Sequence, residues 1–155
     1  MNYNESVEYL NKITDSLIVR IGGQLTDANM DMLSIDEHIM LAYRYLRDEV
    51  MEGGFIQLIQ NGYGPYVLLG PFPMLMKKEL ELKDFGKLLY NALHEYKIHR
   101  EELEADKSED EFMAQYEQME KLNELGDDYL DDFEEEATIA VAEYFAEKNA
   151  IQQKS

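Results

Sequence analysis

Apolar residues recur every three or four positions along almost the whole chain, and this spacing constrains the fold more than any other feature. In one segment, for example, Phe112, Tyr116 and Met119 follow each other at these intervals. Such spacing places side chains on one face of an α-helix. No segment shows sustained alternation of apolar and polar residues, and the one plausible strand, residues 66–69, is too short and isolated to make a sheet. We therefore expect an all-α protein, a single-domain bundle of six or seven helices over residues 1–155.

Capping residues predict where several of these helices begin. Ser34 with Glu37, and Ser108 with Glu111, have the three-residue spacing of a capping box, in which each side chain satisfies a free backbone amide of the first turn. Residues predicted to cap helices singly are Asn4, Asp84 and either Asp127 or Asp128.

Glycines predict where helices end, because glycine readily adopts the left-handed conformation that closes a helix. Gly22 and Gly23 should end the first helix, and Gly53 and Gly54 should end the second. Gly126 is expected to interrupt the last helical stretch.

The charge of the chain is strongly uneven. The formal net charge is −19, and residues 101–155 contain nineteen carboxylates against four lysines. Folding does not require such an excess, because moderate net charge already maintains solubility and more of it adds self-repulsion. A disordered acidic tail is also not indicated, since apolar residues continue at helical spacing through this region. These features predict a folded domain with a negative surface.

Acidic side chains share one face of the predicted last helix. At 100° per residue, Asp128, Asp131 and Asp132 fall within about 100° of one another together with Glu135. Carboxylates one turn apart rise by about 6 Å, which is similar to the spacing of phosphates along a nucleic-acid strand. The predicted partner-binding face comprises Glu117, Glu120, Glu124, Asp128, Asp131, Asp132 and Glu135. The alternative is an ordinary solvated face that happens to be acidic.

Several functional classes are disfavoured by the residues themselves. The chain has no cysteine, and no phosphate-binding loop, nucleophile elbow or dinucleotide fingerprint is present. His94 and His99 are five residues apart, so on a helix they point about 140° apart and cannot share one metal ion. We therefore expect no enzyme activity, no cofactor and no metal site.

Basic residues are too sparse for direct binding to nucleic acid or to an anionic membrane, since the densest run is Lys77 and Lys78. The first residues lack the basic and apolar regions of a signal peptide. These observations predict a cytoplasmic protein.

The most distinctive stretch of the chain is residues 48–62. Two adjacent glycines allow a sharp break between helices, and the following phenylalanine returns to the core. Gln57 and Asn61 are four residues apart, share a helix face, and are expected to hydrogen-bond the loop that follows. The residues of this predicted structural corner are Glu49, Gly53, Gly54, Phe55, Gln57 and Asn61.

This stretch resembles the signature of the bacterial DNA-mimic protein family, Glu-Val-Asn-Asn-Gly-Gly-Phe-x-Gln-aromatic-aromatic-x-Asn. Met51 and Glu52 stand where the family has two asparagines, and Leu58 and Ile59 stand where it has aromatic residues. The resemblance covers about residues 30–150. It implies an all-α domain and, for the member that gave the family its name, occupation of the DNA site of a DNA-binding protein.

Together, the charge and the resemblance predict a non-enzymatic protein whose acidic face binds a basic, nucleic-acid-binding protein. We expect it to be a monomer or a homodimer. Two alternatives remain open: an immunity protein or antitoxin that neutralises a basic nuclease, and a structural module whose acidity serves only solubility.

Overall fold

The computed structural model describes the backbone of residues 1–154 and the side chains of residues 1–151. Over this part of the chain the regular structure is helical and no strand occurs, which confirms the all-α prediction. The α-helices are α1 (Tyr3–Arg20), α2 (Ile35–Gln60), α3 (Phe72–Lys78), α4 (Lys83–Glu104), α5 (Glu109–Gln118), α6 (Glu120–Asp128) and α7 (Glu134–Lys154). A 3₁₀ turn, Met30–Met32, and two π-helical segments, Pro65–Leu69 and Tyr129–Phe133, lie between them. Among the described residues, no helix has both the length and the apolar character needed to cross a bilayer.

The described chain divides into two compact units. One contains Met1–Arg44 and Glu135–Ser155, and the other contains Tyr45–Glu134. We call them the first and the second unit. The expectation of a single domain stays a prediction.

In the first unit, α1 is capped by Asn2, so the expectation of a cap at Asn4 was wrong. The Asn2 side chain accepts a hydrogen bond from the Glu5 amide at 2.8 Å, and the Glu5 carboxylate accepts one from the Asn2 amide at 3.0 Å. This capping box satisfies two amides where a lone Asn4 would satisfy one. Gly22 and Gly23 end α1 as predicted, both with positive φ.

The core of the first unit is apolar with one internal polar pair. Leu17, Leu41 and Phe145 are almost completely buried. Among them, the hydroxyl groups of Tyr43 and Thr138 are 2.6 Å apart and share a hydrogen bond. Neither hydroxyl oxygen therefore lacks a hydrogen-bond partner in the core.

The second unit contains α3 to α6, and residues 45–134 include 22 of the 33 acidic residues of the chain. Its core includes the ring of Phe85 on α4, whose centroid lies 6.0 Å from that of Tyr129 and 6.1 Å from that of Phe133. These contacts attach the π-helical segment Tyr129–Phe133 to α4, and α6 also packs against α4.

Residues 66–69 lie in a π-helical segment, in agreement with the all-α prediction, and Val67 and Leu68 are fully buried. Two local expectations in the second unit were wrong. Asp84 lies inside the first turn of α4, whose cap position is Leu82. Gly126 lies inside α6, so neither Asp127 nor Asp128 begins a new helix, and the break comes instead at Met119. Both capping boxes form as predicted, at Ser34 and at Ser108.

The predicted corner is a break inside α2. Gly53 has φ −148° and ψ 17°, and Gly54 has φ 75° and ψ −176°, so neither residue is helical. The Gly54 conformation is essentially restricted to glycine. Val50 before the break and Phe55 after it are buried, so both sides of the break are fastened to the core.

The carboxylate of Glu49 joins the two sides of this break. It accepts hydrogen bonds from Gln57 Nε2 at 2.7 Å and from Asn61 Nδ2 at 2.9 Å. The expectation that these amides bind the following loop was therefore wrong. Hydrogen bonds to a charged acceptor are stronger than those between neutral groups. Glu49, before the break, therefore holds Gln57 and Asn61, after the break, in place.

Helices α5 and α6 both meet this corner. The Tyr116 hydroxyl of α5 donates a hydrogen bond to the Gly53 carbonyl. A Cβ placed on Gly126 of α6 would lie 3.5 Å from the Gly54 Cα. Burial, with the nearby Glu49 and Glu52 carboxylates, raises the pKa of Tyr116, so this hydroxyl keeps its proton for the bond.

We expect Gly54→Ala to lower the free energy of unfolding by about 1–3 kcal/mol, because alanine is strained at this positive φ. The matched control is Gly126→Ala, which adds the same methyl group to the opposing helix. That methyl would make ordinary contacts, and alanine is favoured over glycine in a helix by about 1 kcal/mol. Urea unfolding measures both, and the account of the corner is wrong if Gly54→Ala is as stable as the parent.

Candidate protein-binding surface

Six of the seven predicted binding carboxylates lie in the second unit, and we call these six the acidic surface. Its members are Glu117, Glu120, Glu124, Asp128, Asp131 and Asp132. Each of them is exposed. The seventh residue, Glu135, is also exposed but belongs to the first unit, so it is treated separately.

No member of the acidic surface is neutralised by a neighbouring cation. Within residues 1–151, none of the six carboxylates forms a salt bridge or a side-chain hydrogen bond. Lys121 is the only basic residue between residues 108 and 147, and its ammonium group is 3.9 Å from the carboxylate of Glu95 on α4. The negative charge of the acidic surface is therefore left for solvent or for a partner.

Three carboxylates of the acidic surface form a row along α6. Glu120, Glu124 and Asp128 are four residues apart and lie in one uninterrupted α-helix. Successive members therefore share a face and rise by about 6 Å each. The opposite side of α6 contains the buried residues Leu122 and Gly126, which hold the helix against the unit and leave the row in solvent.

The π-helical segment Tyr129–Phe133 changes the predicted geometry after this row. The Glu134 amide donates to the Tyr129 carbonyl five residues earlier, so this turn holds more residues than an α-turn. The angular positions that were predicted at 100° per residue therefore do not apply to residues within or after this segment. Asp131 and Asp132 are nevertheless exposed while Tyr129 is buried, so the predicted division into acidic and buried sides holds here.

Glu134 has a different role from its exposed neighbour Glu135. Its carboxylate is 2.8 Å from Arg47 Nε, and the two side chains are only 10% and 15% exposed. A buried ion pair of this kind fixes the end of the second unit, whereas Glu135 points to solvent.

A pocket of about 410 Å³ adjoins the acidic surface in the second unit. Residues from α4 and from the junction of α5 with α6 line it, and they include Glu95, His99, Glu120 and Lys121. Sequence reasoning missed Glu95 as an interacting residue. The available signal was its position three residues after the buried Ala92, on the apolar face of α4, where a carboxylate is unusual.

The family model of DMP19-like proteins matches residues 31–149. The chain belongs to the DMP19-like family. This confirms the family resemblance and agrees with the extent of about residues 30–150 expected for it.

One relative is the DNA mimic protein DMP19 of Neisseria meningitidis serogroup B. It is 36% identical over 81 residues, which cover 52% of this chain and 48% of that protein. The chain therefore spans about half the length of the curated relative it matches. No solved structure matches the chain significantly.

The contrast between Glu134 and Glu135 is directly testable. We expect Glu134→Ala to lower the free energy of unfolding by about 3–5 kcal/mol, because it leaves the buried Arg47 charge without this partner. Glu135→Ala removes the same charge one residue away and should change stability by no more than about 0.5 kcal/mol, as is typical of exposed sites. Thermal or urea unfolding measures the stability of both variants. Equal losses of stability would contradict the assignment of Glu134 to a buried ion pair and of Glu135 to solvent.

Proposed function

We propose that this member of the DMP19-like family is a DNA mimic that acts by binding, without catalysis. Its acidic surface occupies the basic nucleic-acid-binding site of a partner protein. The observation that carries the proposal is the row Glu120, Glu124 and Asp128 on α6, which is exposed and unpaired within the described residues.

The distribution of charge supports this function. Some carboxylates elsewhere in the second unit take part in internal interactions, as Glu49 does at the corner and Glu134 with Arg47. The acidic surface lacks such neighbours. Unpaired like charges at helical spacing destabilise a helix slightly, so their concentration on α6 has a cost that folding alone does not explain. Binding to a basic partner offsets that cost.

The geometry of the surface also supports it. Charges fixed on a helix are held at regular intervals before binding, so little order must be imposed when the partner arrives. Complementary charge then steers the encounter and selects the orientation. A site that evolved to bind phosphates presents clustered lysine and arginine side chains, which is the complement of this row.

The name of the relative agrees with this reading, since DMP19 of Neisseria meningitidis is called a DNA mimic protein. The matched region covers about half of that protein. Mimicry by the present chain is therefore our proposal, supported by its own exposed carboxylates.

Affinity capture with a charge-reversed variant tests the proposal. The protein is immobilised, lysate of the source cells is applied at low salt, and retained proteins are eluted with a salt gradient and identified. We expect a basic DNA-binding protein that elutes at moderate salt, since exposed charges are screened over about 10 Å at 0.1 M. Asp128→Lys, Asp131→Lys and Asp132→Lys together should abolish its retention.

A second triple variant controls for net charge. Glu8→Lys, Asp27→Lys and Asp31→Lys change three exposed acids of the first unit, so both variants have the same net charge. We expect this control to retain the partner. The proposal fails if the first triple variant binds the partner with unchanged affinity and salt response, or if both variants lose it equally.

A further inference from the structure

The pocket beside the acidic surface contains a buried carboxylate that the fold leaves incompletely partnered. Glu95 is 7% exposed. The nearest basic side chains are those of His99, with Nε2 at 3.5 Å, and Lys121, with Nζ at 3.9 Å. Neither contact is a hydrogen bond, and within residues 1–151 no other residue donates one to this carboxylate. Its carboxylate oxygens are not among the fully buried side-chain atoms that lack a hydrogen-bond partner, so they reach the open pocket and can accept hydrogen bonds from an incoming donor.

Lys121 is a weakly held neighbour of this carboxylate. Its side chain is 78% exposed, so most of it lies in water rather than in the pocket. A lysine stem is flexible and its ammonium group is strongly hydrated. Lys121 can therefore move into solvent without disturbing the core, and another cation can take its place beside Glu95.

The walls of the pocket suit a long cationic side chain. Ile98 is 59% exposed, although it is apolar, and it lines the pocket together with Met119. These side chains can contact the methylene groups of an arginine or lysine whose charged end reaches Glu95. Glu120 also lines the pocket and belongs to the acidic surface, so the pocket and the proposed binding surface are continuous.

We propose that this pocket receives an arginine side chain of the basic partner, whose guanidinium group pairs with Glu95 in place of Lys121. The proposal rests on the proposed function and specifies one anchoring contact within it. Arginine fits better than lysine, because its planar group can donate two parallel hydrogen bonds to one carboxylate. It is also less strongly hydrated than an ammonium group, so it enters a partly buried site more easily.

Two synthetic lysine-rich peptides test the pocket without knowledge of the natural partner. The peptides are identical except for one central residue, which is arginine in one and its neutral isostere citrulline in the other. Calorimetric titration into the full chain at low salt measures both affinities. We expect the arginine peptide to bind about tenfold more tightly, as one hydrogen-bonded charge contact contributes about 1.5 kcal/mol.

Substitution at Glu95 should remove this preference. In Glu95→Gln, the arginine and citrulline peptides should bind within about twofold of each other. The matched control is Glu101→Gln, which removes an equal charge from an exposed position on the same helix and should keep the tenfold preference. If Glu95→Gln keeps the preference as well, the pocket does not hold the arginine.

Lys121→Gln provides an independent variant that leaves the buried residue unchanged. Removal of this competing cation should increase the preference for the arginine peptide, and a smaller preference would overturn the proposal. Failure of the pocket is distinct from failure of the proposed function. If both peptides bind the parent equally, only the pocket is wrong; if neither binds, the acidic surface itself does not recognise basic chains.

Discussion

The hydrogen bonds of Glu49 are the constraint on which the arrangement of the second unit depends. Through them, one carboxylate closes the break in α2 that Gly54 allows. At the same corner, the Tyr116 hydroxyl of α5 donates a hydrogen bond to the Gly53 carbonyl, and α6 packs beside Gly54 at Gly126. These two helices carry most of the acidic surface. The residues that look most distinctive in the sequence therefore act by positioning the helices whose charges face solvent.

Carboxylates have two separate roles in this protein. Inside the second unit, Glu49 and Glu134 are held by hydrogen-bond or ion-pair partners. On α6, Glu120, Glu124 and Asp128 have no such partners among the described residues. Glu95 lies between these cases, because it is largely buried but lies no closer than 3.5 Å to a basic side chain and accepts no hydrogen bond from the described residues. A low isoelectric point alone does not distinguish these roles, whereas burial and pairing do.

Local signals made the helical fold and both capping boxes predictable, since a Ser and a Glu three residues apart need only each other. Features set by distant contacts were not predictable. Gly126 looked like a helix break but is a packing contact, because the corner approaches α6 there. The segment Tyr129–Phe133 is π-helical and packs against Phe85. Its own residues contain no pattern that predicts the wider turn. The exposure of the acidic surface followed from helical spacing, but the pocket at Glu95 required the packing of α4 against α6.

The central claim is that the acidic surface and DNA compete for one site on a basic partner. Once a partner is captured, its binding to a labelled DNA duplex can be followed by fluorescence anisotropy while the present protein is added. The account predicts that the DNA is displaced in a concentration-dependent way, with no complex containing all three components. A stable ternary complex, or DNA binding that the protein leaves unchanged while it still binds the partner, would contradict it.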